Sequence, residues 1–166
     1  AFADLGLDEI CLKGVAAMGF EEPSPVQAEM IPIALQGKDV LGQARTGTGK
    51  TAAFALPVIQ MAERGAGTQA IILTPTRELA VQVTEEVIQL SRFSPLSAVP
   101  VYGGAKVSGQ IRRLADNPEI VIGTPGRVMD MVGRKVLDLS GVRWSVLDEV
   151  DRMLDIGFRD DIRRIL

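Results

Sequence analysis

Five short apolar runs alternate with longer amphipathic stretches, and this alternation constrains the fold more than any other feature of the chain. The apolar runs are residues 39–41, 70–73, 97–101, 120–122 and 144–147, and the amphipathic stretches are residues 49–64, 76–92, 106–115 and 126–132. Short aliphatic runs bounded by turn residues are typical of buried parallel strands. We therefore predict an α/β fold, a parallel β-sheet with helices on both faces, in which ligands bind at the carboxyl ends of the strands.

The composition is that of one globular domain. The chain has 166 residues, of which 46% are hydrophobic and 23% charged, and we predict a single domain over residues 1–166. Its single cysteine, Cys11, excludes an internal disulfide and favours a reducing compartment, the cytoplasm. We see neither an apolar run long enough to span a membrane nor a signal peptide. The net charge of −3 argues against non-specific binding of nucleic acid, so any such contact must come from a few placed residues.

A glycine-rich loop at residues 44–51 follows one predicted strand and opens a helix. It matches the P-loop pattern, with alanine at the first glycine position. Glycines without a Cβ let backbone N–H groups converge on phosphate oxygens, while Lys50 would reach the β- and γ-phosphates and the Thr51 hydroxyl would bind Mg²⁺. The candidate nucleotide ligands in this loop are Thr46, Gly47, Thr48, Gly49, Lys50 and Thr51.

Two other interpretations of this loop are possible. One is a strand–helix turn without a ligand, which the complete Gly-Lys-Thr ending argues against. The other is a dinucleotide fingerprint over residues 47–52, which needs a carboxylate at the end of the second strand. That strand ends in Thr74-Pro75, so the sequence excludes a dehydrogenase of this type.

Carboxylates directly follow the last apolar run, at Asp148, Glu149 and Asp151. A P-loop protein places its Mg²⁺-binding aspartate at such a strand end, which here is Asp148. Glu149 could then orient or deprotonate an attacking water molecule. The alternative is an acidic turn that caps the next helix.

The sequence Thr-Pro-x-Arg occurs twice, at residues 74–77 and 124–127, each time between a strand and a helix. Threonine as N-cap and proline at the first helical position are ordinary helix-start signals. Arg77 and Arg127 are different, because a cation near a helix N-terminus is disfavoured unless an anion binds beside it. Both sites lie on the predicted sheet rim, which suggests a polyanion along it. A glycine pair at 103–104 could let a backbone approach closely, although it could also be an ordinary loop pair.

Together these motifs resemble the first RecA-like domain of DEAD-box RNA helicases, over nearly all of the chain. Residues 19–27, in a region of about residues 1–36, resemble the family's Q motif, with Phe2 as its isolated upstream aromatic. The resemblance implies that Gln27 contacts the adenine edge and that Phe20 packs on the adenine ring. From the residues alone, Ser24 and Gln27 also form a capping box, and both roles can coexist.

The other motifs extend the resemblance. Residues 44–51 match motif I, 75–80 motif Ia, 103–104 the GG motif, 124–127 motif Ib and 148–151 motif II, where Val150 replaces alanine. This implies a RecA-like P-loop NTPase domain with ATP and Mg²⁺ as cofactors, and Asp151 in interdomain coupling. The residues implied in contacts with the RNA backbone are Pro75, Thr76, Arg77, Gly103, Gly104, Thr124, Pro125 and Arg127.

The resemblance implies RNA-dependent ATP hydrolysis coupled to strand separation. An ATP-gated RNA clamp with slow hydrolysis is the alternative, and a metabolic P-loop kinase is a third hypothesis that the paired Thr-Pro-x-Arg sites argue against. Helical spacing of apolar residues reaches the last residue, so we expect further sequence downstream. The second RecA-like domain is absent from this chain, which we therefore expect to bind nucleotide without unwinding RNA.

Overall fold

The computed structural model describes residues 1–36, 50–104 and 106–148. Within these residues a 3-10 helix, Phe2–Leu5, precedes six α-helices: α1 (Glu9–Ala17), α2 (Pro25–Leu35), α3 (Lys50–Met61), α4 (Arg77–Leu90), α5 (Val107–Leu114) and α6 (Pro125–Gly133). The described strands are β1 (Ala70–Leu73), β2 (Ala98–Val101), β3 (Ile120–Gly123) and β4 (Trp144–Leu147). The strand predicted at residues 39–41 lies outside the described residues.

The described strands form one parallel sheet in the order β2-β3-β1-β4. The register aligns their ends, because Leu73 lies opposite both Gly123 and Leu147, and Gly123 lies opposite Val101. The carboxyl ends of all four strands are therefore level at one edge, which we call the carboxyl edge. Segments that follow different strands are brought together there, although they are far apart in sequence.

The chain divides into two compact units. The described part of the N-terminal unit comprises residues 1–36, 50–62 and 85–96, and that of the sheet unit comprises residues 63–84, 97–104 and 106–148. None of the helices in the described part of the chain is long and apolar enough to cross a membrane.

In the N-terminal unit, α1 and α2 both begin at residues whose side chains accept a hydrogen bond from the first helical turn. The Asp8 carboxylate accepts from the backbone N–H of Cys11 at 3.0 Å, and the Ser24 hydroxyl accepts from that of Gln27 at 3.3 Å. Both helices pack against α3. Cys11 is completely buried, and its Sγ lies 3.7 Å from the Leu56 carbonyl oxygen of α3.

In the sheet unit, every residue of β1 and β3 is buried, as expected for central strands of a sheet that is covered on both faces. The apolar cluster on one side contains Ile71, Leu73, Val101, Leu114, Val121, Val128, Met131 and Leu137. Among the described glycines of the sheet unit, Gly123, at the end of β3, is in the closest contact with its surroundings. A Cβ there would lie 2.3 Å from the Val101 carbonyl oxygen and 2.7 Å from Val128 Cγ2, so only glycine lets α6 begin directly at this edge.

Candidate functional site

The predicted site residues fall into three groups. Phe20, Gln27, Lys50 and Thr51 belong to the N-terminal unit. Pro75, Thr76, Arg77, Gly103, Gly104, Thr124, Pro125, Arg127 and Asp148 belong to the sheet unit. Thr46, Gly47, Thr48, Gly49, Glu149 and Asp151 lie outside the described residues, so their roles stay predictions.

Gln27 lies in the first turn of α2 and completes a capping box. The Ser24 backbone N–H donates to Gln27 Oε1 at 2.9 Å, and the Gln27 N–H donates back to Ser24 Oγ at 3.3 Å. Gln27 is only 3% exposed. The capping box predicted from the sequence is confirmed. It is compatible with a base contact, because a carbonyl oxygen has two lone pairs and the amide nitrogen donates separately.

Phe20, which follows α1, stacks on Phe2. The two ring centroids lie 6.5 Å apart and the ring planes differ by 18°. Phe2 is buried and Phe20 is half-buried. The buried ring therefore supports one face of Phe20 in an offset stack and fixes its plane, as a residue that packs on a flat base would require.

Lys50 and Thr51 are the first described residues of α3, and they are 9% and 7% exposed. Lys50 is therefore a largely buried cationic residue in the first described turn of α3, and a cation near a helix N-terminus is disfavoured unless an anion binds beside it. A polyphosphate bound beside this helix end would place negative charge next to both the helix N-terminus and the lysine, which favours binding.

Asp148 follows β4 directly at the carboxyl edge. Its backbone N–H donates to the Leu73 carbonyl oxygen at 2.8 Å, which extends the sheet ladder by one residue, and Asp148 is 2% exposed. A carboxylate that is buried this deeply must be compensated by hydrogen bonds or by a cation. The Asp148 carboxylate and the Thr51 hydroxyl are hard oxygen ligands of the kind that Mg²⁺ prefers, so the chemistry of these residues fits the predicted metal.

The first Thr-Pro-x-Arg segment begins its helix two residues later than predicted. Thr74 was expected to be the N-cap, but its backbone N–H donates to the Gly123 carbonyl oxygen at 2.9 Å and so continues the sheet ladder. The N-cap is Thr76, whose hydroxyl accepts from the Leu79 N–H at 3.2 Å, and α4 begins at Arg77. Pro75 therefore lies between the strand and the helix and not at the first helical position.

The second segment follows the prediction. Thr124 is the N-cap of α6 and Pro125 is the first helical residue. The Thr124 N–H donates to the Val101 carbonyl oxygen at 3.0 Å, and Thr124 is 8% exposed. Its hydroxyl makes no capping hydrogen bond with the described residues, so backbone bonds and the proline position this helix start.

Arg77 contacts the loop that follows β2. Its guanidinium carbon lies 5.8 Å from the centre of the Tyr102 ring, within the range of a cation–π interaction. Gly104 has a φ of +85°, and a Cβ there would lie 3.2 Å from Arg77 Nη1. The Tyr102 ring and the bare Gly104 backbone therefore define the space that the arginine occupies.

Arg127 is also held by protein groups. Its Nη1 donates to Gln110 Oε1 at 3.3 Å, and its Nε lies 3.7 Å from the Asp130 carboxylate one turn further along α6. The Arg127 side chain is 15% exposed. From the sequence, a bound anion was the only reason for an arginine at either position, whereas the structure supplies a protein contact for both. The RNA contact of each arginine stays a prediction.

Gln110 and Tyr102 were not predicted from the sequence as part of this site. Gln110 is 4% exposed, and its Nε2 donates to the Tyr102 carbonyl oxygen at 2.9 Å. The signal for Gln110 was present in the sequence, because it falls on the same helical face as Val107, Ile111 and Leu114. A polar side chain on an apolar face must find hydrogen-bond partners when it is buried.

A model of the DEAD/DEAH box helicase family matches residues 24–166. The chain is 52% identical over 166 residues to the ATP-dependent RNA helicase CshA of Listeria monocytogenes, with 99% of this chain and 32% of that protein covered. Its identity to the DEAD-box ATP-dependent RNA helicase CshA of Geobacillus kaustophilus is 46%, with 99% of this chain and 36% of that protein covered. The chain thus spans about a third of the length of the curated relatives it matches.

Solved structures of similar proteins also superpose on the chain. A DEAD box protein from the hyperthermophile Methanococcus jannaschii superposes with a TM-score of 0.93 at 43% identity, with 99% of this chain and 45% of that chain covered. A hypothetical ATP-dependent RNA helicase from Sulfolobus tokodaii gives 0.88 at 39% identity, with 96% and 46% covered. The predicted parallel α/β, RecA-like fold is confirmed. Since the family model covers most of the chain, this protein belongs to the DEAD/DEAH box helicase family.

Proposed function

We propose that this chain is the ATP-binding and Mg²⁺-dependent ATP-hydrolysing domain of an RNA helicase, which separates or remodels RNA together with a second RecA-like domain. The observation that carries the proposal is the burial of Lys50 and Thr51 at the start of α3, inside the segment that matches the family. Two relatives that are 52% and 50% identical to this chain over 166 aligned residues bear the name ATP-dependent RNA helicase. The single cysteine accords with a cytoplasmic protein.

The adenine base is recognised in the N-terminal unit. Gln27 makes hydrogen bonds to the adenine edge with its amide group, and Phe20, supported by Phe2, packs on the ring. The capping box holds the Gln27 side chain at the helix start before nucleotide binds, so little side-chain entropy is lost on binding.

The phosphates are bound by the loop that ends in Lys50. The backbone N–H groups of residues 46–49 and the Lys50 ammonium bind the phosphate oxygens. Thr51 and Asp148 would hold Mg²⁺, which would supply positive charge beside the phosphate oxygens when bound. Glu149 orients a water molecule and accepts its proton as the water oxygen bonds to the γ-phosphorus and the bond to the bridging oxygen breaks, which yields ADP and phosphate.

RNA binds along the carboxyl edge of the sheet unit. The segments after β1, β2 and β3 supply the contact residues, which are Pro75, Thr76, Arg77, Gly103, Gly104, Thr124, Pro125 and Arg127. Their register brings these segments to one level, where guanidinium and backbone N–H groups can follow a sugar–phosphate chain. Contacts of this kind recognise no base sequence. Asp151 transmits the state of the nucleotide to the second domain.

Two variants of the full-length protein test the nucleotide roles. Lys50→Ala removes a charged phosphate ligand and should weaken ATP binding by about tenfold or more. Glu149→Gln keeps the metal ligands but removes the base, so ATP binding should persist while turnover falls by about a hundredfold or more. Calorimetry measures the first effect and phosphate release the second. Near-normal turnover in Glu149→Gln would show that another group activates the water, and unchanged affinity in Lys50→Ala would contradict the phosphate-loop assignment.

A further inference from the structure

Gln110 has both ends of its side-chain amide engaged within the sheet unit. Its Nε2 donates to the Tyr102 carbonyl oxygen at 2.9 Å, and its Oε1 accepts from Arg127 Nη1 at 3.3 Å. These two partners fix the orientation of the amide, because a carbonyl oxygen can only accept and a guanidinium can only donate. A buried amide that is satisfied on both sides holds its partners at one separation.

Tyr102 continues this connection towards Arg77. The carbonyl oxygen of Tyr102 binds Gln110, while its ring lies under the Arg77 guanidinium carbon at 5.8 Å. The contacts therefore run from Arg127 through Gln110 and Tyr102 to Arg77. We call these four residues the arginine link. They come from the starts of two helices, from α5 and from the loop after β2, and the described contacts join all of them at the carboxyl edge.

We propose that Gln110 is a positioning residue for RNA binding, which sets the separation between the Arg77 and Arg127 guanidinium groups through the arginine link. The proposal rests on the proposed function, in which these arginines contact the RNA backbone. A free arginine side chain loses rotamer entropy when it binds a phosphate, and two arginines must also match the spacing of successive phosphates. The arginine link orders both groups before RNA arrives and so removes part of this cost.

The alternative is that Gln110 only stabilises the fold, and a second buried glutamine provides the control. Gln69 is also 4% exposed and also lies in the sheet unit, but at the amino end of β1. Its amide donates to the Glu63 and Gly67 carbonyl oxygens at 2.6 and 3.1 Å and accepts from the Glu63 N–H at 2.8 Å. Replacing either glutamine by methionine keeps the length of the side chain and removes the same hydrogen-bonding group.

The test is a double-mutant cycle in the full-length protein, with the affinity for a short single-stranded RNA measured in the presence of a non-hydrolysable ATP analogue. Gln110→Met should weaken RNA binding roughly threefold to tenfold, which is the effect expected from losing about one hydrogen bond. In an Arg127→Ala background the same change should cost less than about twofold, because the positioned group is gone. Gln69→Met should leave RNA affinity unchanged.

Gln110→Glu provides a second variant that retains an acceptor for Arg127. It loses the donor to the Tyr102 carbonyl and puts a carboxylate against the guanidinium, so RNA binding should also weaken, even where the fold is fully retained. Thermal unfolding of every variant shows whether its fold is retained.

The outcomes separate this proposal from the proposed function. If Arg127→Ala does not weaken RNA binding, the proposed RNA contact is wrong and the positioning role falls with it. If Arg127→Ala weakens binding but Gln110→Met does not, only the positioning role is overturned. Two results would show that Gln110 acts through stability alone. One is an equal loss of RNA affinity in Gln110→Met and Gln69→Met, and the other is full additivity of the effects of Gln110→Met and Arg127→Ala on RNA affinity.

Discussion

Replacing Gly104 by alanine perturbs the loop that holds Arg77. Gly104 has a φ of +85°, in the left-handed region where a Cβ costs about 1–2 kcal/mol. The new Cβ would also lie 3.2 Å from Arg77 Nη1 and 3.8 Å from Arg77 Cδ, so the guanidinium must shift by a few tenths of an ångström. Because the Arg77 side chain can move aside at little cost, most of the loss comes from the left-handed backbone conformation of residue 104. We expect the free energy of unfolding to fall by about 1–2 kcal/mol.

Gly103→Ala is the matched control. Its φ is not positive, and among the described residues nothing lies within 4 Å of a Cβ built at Gly103. Thermal unfolding of the two variants should therefore differ. The melting temperature should fall by about 2–8 °C for Gly104→Ala and stay nearly unchanged for Gly103→Ala. Equal losses in the two variants, or no loss in Gly104→Ala, would refute the assignment of the strain to Gly104.

Three further predictions concern the base, the buried thiol and the chain alone. If Gln27 contacts the adenine edge, ADP should bind about tenfold more tightly than GDP in a calorimetric titration, because a mismatched base leaves buried polar groups unpaired; equal affinities would leave Gln27 only its capping role. Burial, with a smaller contribution from Asp8, raises the pKa of the Cys11 thiol to about 12 from an ordinary value of 9.0. The native state thus favours the neutral thiol, so its contribution to the free energy of unfolding is complete below pH 9 and is lost as the pH rises towards 12. Urea unfolding at several pH values should show this loss in the parent and not in Cys11→Ala, and identical pH dependence in both would contradict it. The 166-residue chain should fold alone and bind adenine nucleotides with Mg²⁺, yet fail to unwind a short RNA duplex with ATP; robust unwinding by this chain would refute the need for a second domain.

The strands could be predicted from the sequence because each is a short aliphatic run between turn residues. β1 and β4 have the predicted bounds, and β2 and β3 differ from the prediction by one residue at one end. Helix α1 was not predicted, and of α2 only the start was indicated, by the capping box of Ser24 and Gln27. In α2 apolar residues occupy most positions and Pro32 lies inside the helix, so there is no apolar stripe and the proline argues locally against a helix. Packing against α3 overrides both signals.

The candidate site was predictable where a motif dictates local geometry. The capping box of Gln27 and the start of α6 follow from residues within a few positions of each other. The contacts of the two arginines could not be predicted in this way, because they depend on how segments after different strands meet at the carboxyl edge. Gln110 and Tyr102 bear no motif signature of their own, and their role emerges only from the contacts they make with Arg127 and Arg77.

The rate of ATP hydrolysis by the full-length protein, measured with and without single-stranded RNA at saturating ATP and Mg²⁺, tests the central claim most directly. An RNA-driven ATPase should hydrolyse ATP faster as RNA is added, up to a plateau. Arg127→Ala should raise the RNA concentration for half-maximal stimulation by about tenfold, through loss of one charged phosphate contact. A rate that is the same with and without RNA would contradict the account, and hydrolysis that stays slow on a protein saturated with RNA would point to a clamp.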